Sequence, residues 1–186
     1  MTQLPTEILA LDLRLVGIDP PIWRRVEVPA SYSLAELHQV VQKTMQWADS
    51  HLHEFSLGER TFQAPHPEAR GEDTTEVRLI DLGLQPGAGL RYVYDFGDEW
   101  TLAITVWDRQ FGPVGPPTCT GGARAAPPED AGGAHQYAEM IAAVNDPTNH
   151  PEPEELLEWL PDGFDPEAFD QARVNTALRT FATRAI

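Results

Sequence analysis

Hydrophobic and polar positions alternate cleanly near the start of the chain. In "ILALDLRLVGI", residues 8–18, Leu9, Leu11, Leu13 and Leu15 share one side while Asp12 and Arg14 take the other. A period of two predicts a half-buried strand. "DPP" at 19–21 ends it, because proline cannot donate to a ladder. "IWRRVEV", 22–28, predicts a second strand with Ile22, Val26 and Val28 in phase. The period then changes. In "SLAELHQVVQKTMQW", 33–47, Leu34, Leu37, Val41 and Met45 form an apolar stripe at helical spacing, with Val40 beside it and His38 and Lys43 off it. Ser33 with Glu36 supplies a capping box for N–H groups that the helix itself leaves unbonded.

Alternation returns in "HLHEFSLG", 51–58, which predicts a strand. Residues 63–76 are polar and proline-containing and predict a loop. Residues 77–96 predict a short apolar element, a Pro-Gly turn at 86–87 and a strand over 90–96, and "EWTLAITVW", 99–107, predicts another strand. Six Gly and five Pro fall within 112–133, so that segment predicts a long surface loop. Beyond it the pattern is helical. Residues 134–145 carry Tyr137, Met140, Ile141 and Val144 and stop at Asp146-Pro147, and 151–160 predicts a short acidic helix. Asp165-Pro166 opens a last helix with Val174, Leu178 and Phe181 along one side.

Strands first and helices last predict an α+β fold. The expected architecture is a mixed, mostly antiparallel sheet with helix 33–47 packed on one face and a C-terminal helical segment along an edge or flank. One domain would span 1–186, with a sheet-and-helix core over 1–111, the Gly/Pro-rich loop over 112–133 and helices over 134–186. The order hairpin, helix, further strands is also compatible with a β-grasp arrangement, into which strand 99–107 has to be fitted.

Charge changes the picture of partners. Thirteen Lys and Arg against 29 Asp and Glu leave a net charge of −16, of which −9 falls within residues 129–186. Such a field repels phosphate backbones, which disfavours direct nucleic-acid binding, and Arg24-Arg25 is the only basic doublet. The single cysteine, Cys119, allows no intrachain disulfide. No basic-then-apolar leader opens the chain and no apolar run approaches spanning length, so the expectation is a cytoplasmic protein without membrane contact. Oligomeric state is not legible.

Candidate chemistry gathers around "YDFGDEW", 94–100. If strands 90–96 and 99–107 pair through a two-residue Gly97-Asp98 loop, the turn is type II′ and Asp95 faces Trp100. Asp95 then shares an apolar face with Val93, Leu102 and Ile104, where a carboxylate must be paired, hydrogen-bonded or protonated. Capping of nearby N–H groups is the plainer role for Asp95, and a one-residue slip of register would send it to the other face. His51 and His53, two apart on a strand, project to one side with Cα atoms roughly 6.5 Å apart, a workable span for two imidazoles on one metal. Asp95, Asp98, Cys119 and the pair Glu129-Asp130 would complete a divalent-metal site. The competing reading is two histidines hydrogen-bonded to carboxylates. A nucleophilic Cys119 lacks a helix N-terminus or an adjacent base, and "GGARAAPPED" lacks the Lys-Ser/Thr of a nucleotide-cradling loop. The five Trp predict packing anchors, since no basic residues interleave with them.

Together "PPIWRRVEVP", "MQWADSHLHEF", "YDFGDEW", "CTGGARAAPPEDAGG" and "FDPEAFD", in this order from about residue 7 to about residue 180, resemble the plasmid pRiA4b ORF-3-like family, whose members include proteins described as transposon passengers. The recurring positions correspond to His51, His53, Asp95, Gly97, Asp98, Trp100, Cys119, Pro127, Pro128, Glu129 and Asp130. The resemblance implies an α+β protein carried on mobile or bacterial genomes and transfers no catalytic assignment. Many relatives carry a second cysteine before the Pro-Pro; Ala126 stands there in this chain, so a thiolate pair is not formed. Two functions follow. The preferred one is a protein-interaction or regulatory module that docks a protein partner through the 112–133 loop and the acidic C-terminal region. The alternative is a metal-dependent hydrolase in which His51 and His53 ligate, Asp95 ligates or orients a ligand, and Glu129 is the general base.

Overall fold

The computed structural model describes residues 5–113, 115–151 and 153–184, with side chains through residue 180. Its strands are β1 (Thr6–Leu15), β2 (Trp23–Pro29), β3 (His53–Leu57), β4 (Arg60–Gln63), β5 (Glu72–Asp73), β6 (Gly89–Tyr94), β7 (Trp100–Gly112) and β8 (Thr118–Ala123), and its helices are α1 (Leu34–Met45), α2 (Gly133–Asn145), α3 (Pro153–Leu157) and α4 (Gln171–Arg184). The fold is α+β. The strands form one sheet in the order β5-β4-β3-β6-β7-β1-β2-β8. Its ladders are antiparallel apart from the short parallel β4–β5 pair. Strand β7 is the one the sequence left to be fitted, and it lies between β6 and β1.

One face of the sheet holds the core. Leu11, Leu13 and Leu15 of β1 oppose Val106, Ile104 and Leu102 of β7, and Tyr92 and Tyr94 of β6 oppose Leu102 and Trp100; all are buried. Helix α1 covers this face. Its Leu34, Leu37, Val40, Val41 and Met45 are at most 1% exposed, and the capping box of Ser33 and Glu36 is formed in both directions. His38 departs from expectation: it is buried and bonded to the Tyr92 hydroxyl at 2.8 Å, so the inward stripe of α1 is wider than the apolar spacing indicated. Arg24 is also fully buried on this face. It donates to the carbonyls of Trp23, Ala123 and Arg124, and burial holds its pKa down at about 10. Among the described residues, no helix is long and apolar enough to cross a membrane.

Several boundaries differ from the sequence pattern. The 112–133 segment is not one loop: β7 runs to Gly112, and β8 pairs with β2. Gly121 and Gly122 are there for closeness rather than freedom. A Cβ on Gly122 would lie 2.7 Å from the Phe169 ring and 2.9 Å from Arg24. Residues 63–76 include β5, and a 3₁₀ turn at Leu79–Leu82 is the short apolar element. The last helix starts at Gln171, with the Asp170 carboxylate accepting the Arg173 N–H, while Asp165 caps a separate turn. Val174 and Leu178 are buried as the pattern requires; the side chain of Phe181 lies outside the described residues.

The hairpin register also shifts. Trp100 pairs with Tyr94, not with Asp95, and residues 95–99 form the connection, closed by the Glu99 N–H on the Asp95 carbonyl at 2.6 Å. Asp95 and Glu99 both take positive φ, 57° and 58°. Tyr94 and Trp100, both large and aromatic, thereby stay on the core face, and Asp95 leaves the strand. Strand β3 starts at His53, so His51 precedes it and the alternation that joined the two histidines does not apply.

Candidate metal centre

Three chain segments meet at one end of β3 and β6. Helix α1 stops at Gln46, which is left-handed with φ 61°. Trp47 then folds back into the core, its ring 4.9 Å from that of Tyr94 and 6.3 Å from that of Trp100. The Trp47 indole N–H donates to the Pro127 carbonyl at 2.9 Å, which ties the 127–130 segment over the end of α1. Glu129 is drawn in behind it. Its carboxylate accepts the Ala48 N–H at 2.6 Å, the Ser50 hydroxyl at 3.2 Å and the Tyr94 hydroxyl at 3.1 Å. The hairpin is the third segment: the Asp95 N–H donates to the Leu52 carbonyl, and the Asp98 carboxylate accepts the Gly132 N–H at 2.8 Å. Gly133 must be glycine here, since it has φ 79° and an added Cβ would lie 2.5 Å from the Asp98 carbonyl oxygen.

His51 stands at the centre. Its Nε2 is 3.1 Å from Asp130 Oδ1, 3.6 Å from Asp95 Oδ2 and 3.6 Å from Glu129 Oε2. That nitrogen is shut off from solvent, yet among the described residues no hydrogen bond reaches it. One ligand atom from each of His51, Asp95 and Asp130 falls within 4.8 Å of the others. Ligands about 2.1 Å from a tetrahedral ion lie about 3.4 Å apart, which the distances from His51 Nε2 to Asp130 and Asp95 bracket. One imidazole with two or three carboxylates suits a first-row divalent ion such as Zn²⁺ or Mn²⁺. Access is from the Asp130 side, whose carboxylate is 66% exposed, against 12% for Asp95.

The other sequence candidates lie elsewhere. His53 does not join His51: its ring stacks on His38 with centroids 3.5 Å apart and planes 7° from parallel. Asp98 is a brace between the hairpin and the start of α2. Cys119 is buried on β8, five strand positions from β3 in the sheet, and its thiol donates to the Gly121 carbonyl at 3.3 Å. Burial pushes that thiol up, which leaves it a poor nucleophile. Of the predicted set, His51, Asp95, Glu129 and Asp130 come together; His53, Asp98 and Cys119 do not. Ser50, Tyr94 and Trp47 were missed, although Tyr94 on the inward face two residues from Tyr92 was a legible signal.

Next to the cluster is a second, closed network. His38 Nε2 lies 2.7 Å from Asp49, whose other oxygen accepts from Gln39. With its Nε2–H given to Asp49, His38 accepts the Tyr92 O–H at Nδ1, and Tyr92 accepts from Gln42. Burial, with the positive field of a protonated His38, holds His53 down at about 4. Burial holds His38 down as well, partly offset by Asp49.

The family model described as "Plasmid pRiA4b ORF-3-like protein" matches residues 7–173. The chain is 34% identical over 183 residues to "Uncharacterized protein y4hQ" of Sinorhizobium fredii (strain NBRC 101917 / NGR234), covering 95% of this chain and 93% of that one. It is also similar to the crystal structure of "Protein of Unknown Function MM3350" from Methanosarcina mazei Go1, with a TM-score of 0.81 and 35% identity over 90% of this chain and 97% of that one.

Proposed function

The chain belongs to the plasmid pRiA4b ORF-3-like family, and from the geometry of its imidazole–carboxylate cluster we propose that it is a metal-dependent hydrolase. The observation that carries this reading is the His51 Nε2, closed to solvent, without a hydrogen bond, and facing three carboxylate oxygens at 3.1–3.6 Å. His51, Asp95 and Asp130 are the ligands. A divalent ion bound there would supply Lewis acidity, polarising a carbonyl and lowering the pKa of water. Glu129 is fixed by Ala48, Ser50 and Tyr94 with Oε2 toward the cluster, which suits a general base that takes a proton from the attacking water and delivers it to the leaving group. The exposed side of Asp130 leaves room for water and substrate. A docking-module reading has less support, because the 112–133 segment is committed to β8 and to the cluster itself. A regulatory task or a mobile-element link is compatible with the hydrolase and has no residue of its own here.

The test uses protein purified without a histidine tag, stripped with chelator and reloaded with Zn²⁺ or Mn²⁺. One equivalent should bind, and Asp95→Asn or Asp130→Asn should weaken binding at least tenfold. Glu129→Gln should keep the metal while hydrolysis of activated amides and esters falls about a hundredfold or more. Loaded protein that turns over nothing, or Glu129→Gln with full activity, would remove the enzymatic reading.

A further inference from the structure

Leu52 follows His51 and Phe96 follows Asp95, so the next residue along the chain from two members of the cluster is in each case a large apolar one. Both side chains are more than half exposed, and they line a cavity of about 230 Å³ with Ala64, Ala69, His53 and His66. Two of its polar side chains, Gln63 and His66, are already engaged. Gln63 donates to Glu54 and accepts from the N–H groups of Arg70 and Gly71, and His66 Nδ1 accepts the Glu68 N–H. What the cavity offers a ligand is apolar and aromatic wall. His53, which is 8% exposed, contributes a flat heteroaromatic surface whose Nε2 has no hydrogen bond among the described residues. An apolar cavity of roughly 150 Å³ already holds a benzene ring. The space beside Phe96 therefore takes a ring or a branched aliphatic group together with its first substituent.

Charge narrows the ligand further. Three carboxylates outweigh one divalent ion, Glu68 adds another carboxylate at the rim, and the chain carries −16. Polyanions such as nucleotides and phosphoproteins are repelled. Neutral or cationic substrates are not.

Resting on the hydrolytic reading, we propose that this cavity is the side-chain subsite of the His51 centre, and that the substrate is a neutral or cationic peptide-like amide. Its aromatic or branched aliphatic side chain lies between Leu52 and Phe96, and its scissile carbonyl lies at His51, Asp95 and Asp130. The reaction consumes one water. A C–O bond forms, the C–N bond breaks, Glu129 passes the proton of water to the departing amine, and no electrons are transferred.

The experiment is an amide-resolved NMR titration of the metal-free protein with three probes: N-acetylphenylalaninamide, N-acetylglycinamide and the anionic N-acetylphenylalanine. The phenylalanine amide should shift the signals of Leu52, His53 and Phe96, bind at least fivefold more tightly than the glycine amide, and bind at least threefold more tightly than the anion. Phe96→Ala and Leu52→Ser should each erase the preference for phenylalanine over glycine while metal affinity stays within twofold of wild type. Equal binding of the phenylalanine and glycine amides, or shifts mapping elsewhere, would overturn the subsite and leave the metal centre standing. Aromatic binding at the cavity in a protein whose metal affinity is untouched by Asp130→Asn would instead remove the hydrolytic centre, and with it the assignment of the cavity as its subsite.

Discussion

His51 and His53 are two residues apart and end in opposite circumstances. His51 lies ahead of β3, 30% exposed at its side chain, its Nε2 facing carboxylates without a hydrogen bond. His53 is the first residue of β3 and lies in the core against His38, whose own nitrogens are both satisfied by Asp49 and Tyr92. One cluster gathers three carboxylates around an imidazole and reaches the surface at Asp130. The other is buried, and its His38 is hydrogen-bonded at both ring nitrogens, although His53 Nε2 has no hydrogen bond among the described residues. The difference is set by where the strand begins: a residue inside β3 must obey the two-fold alternation, and one just before it is placed by the turn after α1. Identical side chains so close together therefore report on backbone context before they report on chemistry.

The frame of the open cluster can be removed first. Trp47→Ala deletes a nearly buried ring between Tyr94 and Trp100 and the tie to Pro127, and should cost about 4 kcal/mol by denaturant unfolding. It should also abolish metal binding, whereas Trp47→Phe, which loses mainly the N–H donor, should cost about 1 kcal/mol.

The closed cluster breaks with acid. His53 has a folded pKa of about 4 against an ordinary 6.5, so the unfolded chain binds the extra proton in that window. The stabilisation is complete above pH 6.5 and is lost as the pH falls toward 4, an effect of about 3 kcal/mol from this residue. Urea midpoints measured from pH 7 to pH 4 should show the decline, and His53→Phe should flatten part of it. His38, also held low by burial, adds to the decline, and Asp49, which burial raises but hydrogen bonds from Gln39 and His38 hold low overall, adds to its acid end.

Smaller changes sharpen the contrast. Ser33→Ala removes the capping oxygen of α1, far from both histidines, and should lower stability by about 1 kcal/mol without altering metal affinity or the acid profile. Asp130→Asn touches only the open cluster. It relieves repulsion between the exposed Asp130 and the neighbouring carboxylates, so stability should stay within about 0.5 kcal/mol by thermal unfolding while metal binding weakens.

Much of the architecture was written in periodicity. The leucines of β1, the stripe and cap of α1 and the inward side of β7 are repetitive signals that burial makes obligatory. What periodicity could not place were elements whose residues serve a neighbour instead of a pattern. Gly121 and Gly122 read as loop but give Trp23, Arg24 and Phe169 room to pack. His38 read as surface but answers Tyr92. The candidate site was half legible. His51, Asp95, Glu129 and Asp130 were named, but for a wrong geometric reason, since Asp95 reaches His51 from a left-handed turn and not from a strand face. His53, Asp98 and Cys119 shared the right chemistry and lacked the position. Chain reversal by the Trp47–Pro127 tie is a long-range contact with no local signature.

The most direct measurement is a long-range ¹H–¹⁵N spectrum of the histidine rings during titration of the tag-free protein with Zn²⁺. The account predicts that one equivalent moves the Nε2 resonance of His51 while the ring signals of His38 and His53 stay in place. Zn²⁺ that leaves His51 unchanged, or that shifts the stacked pair instead, would contradict it.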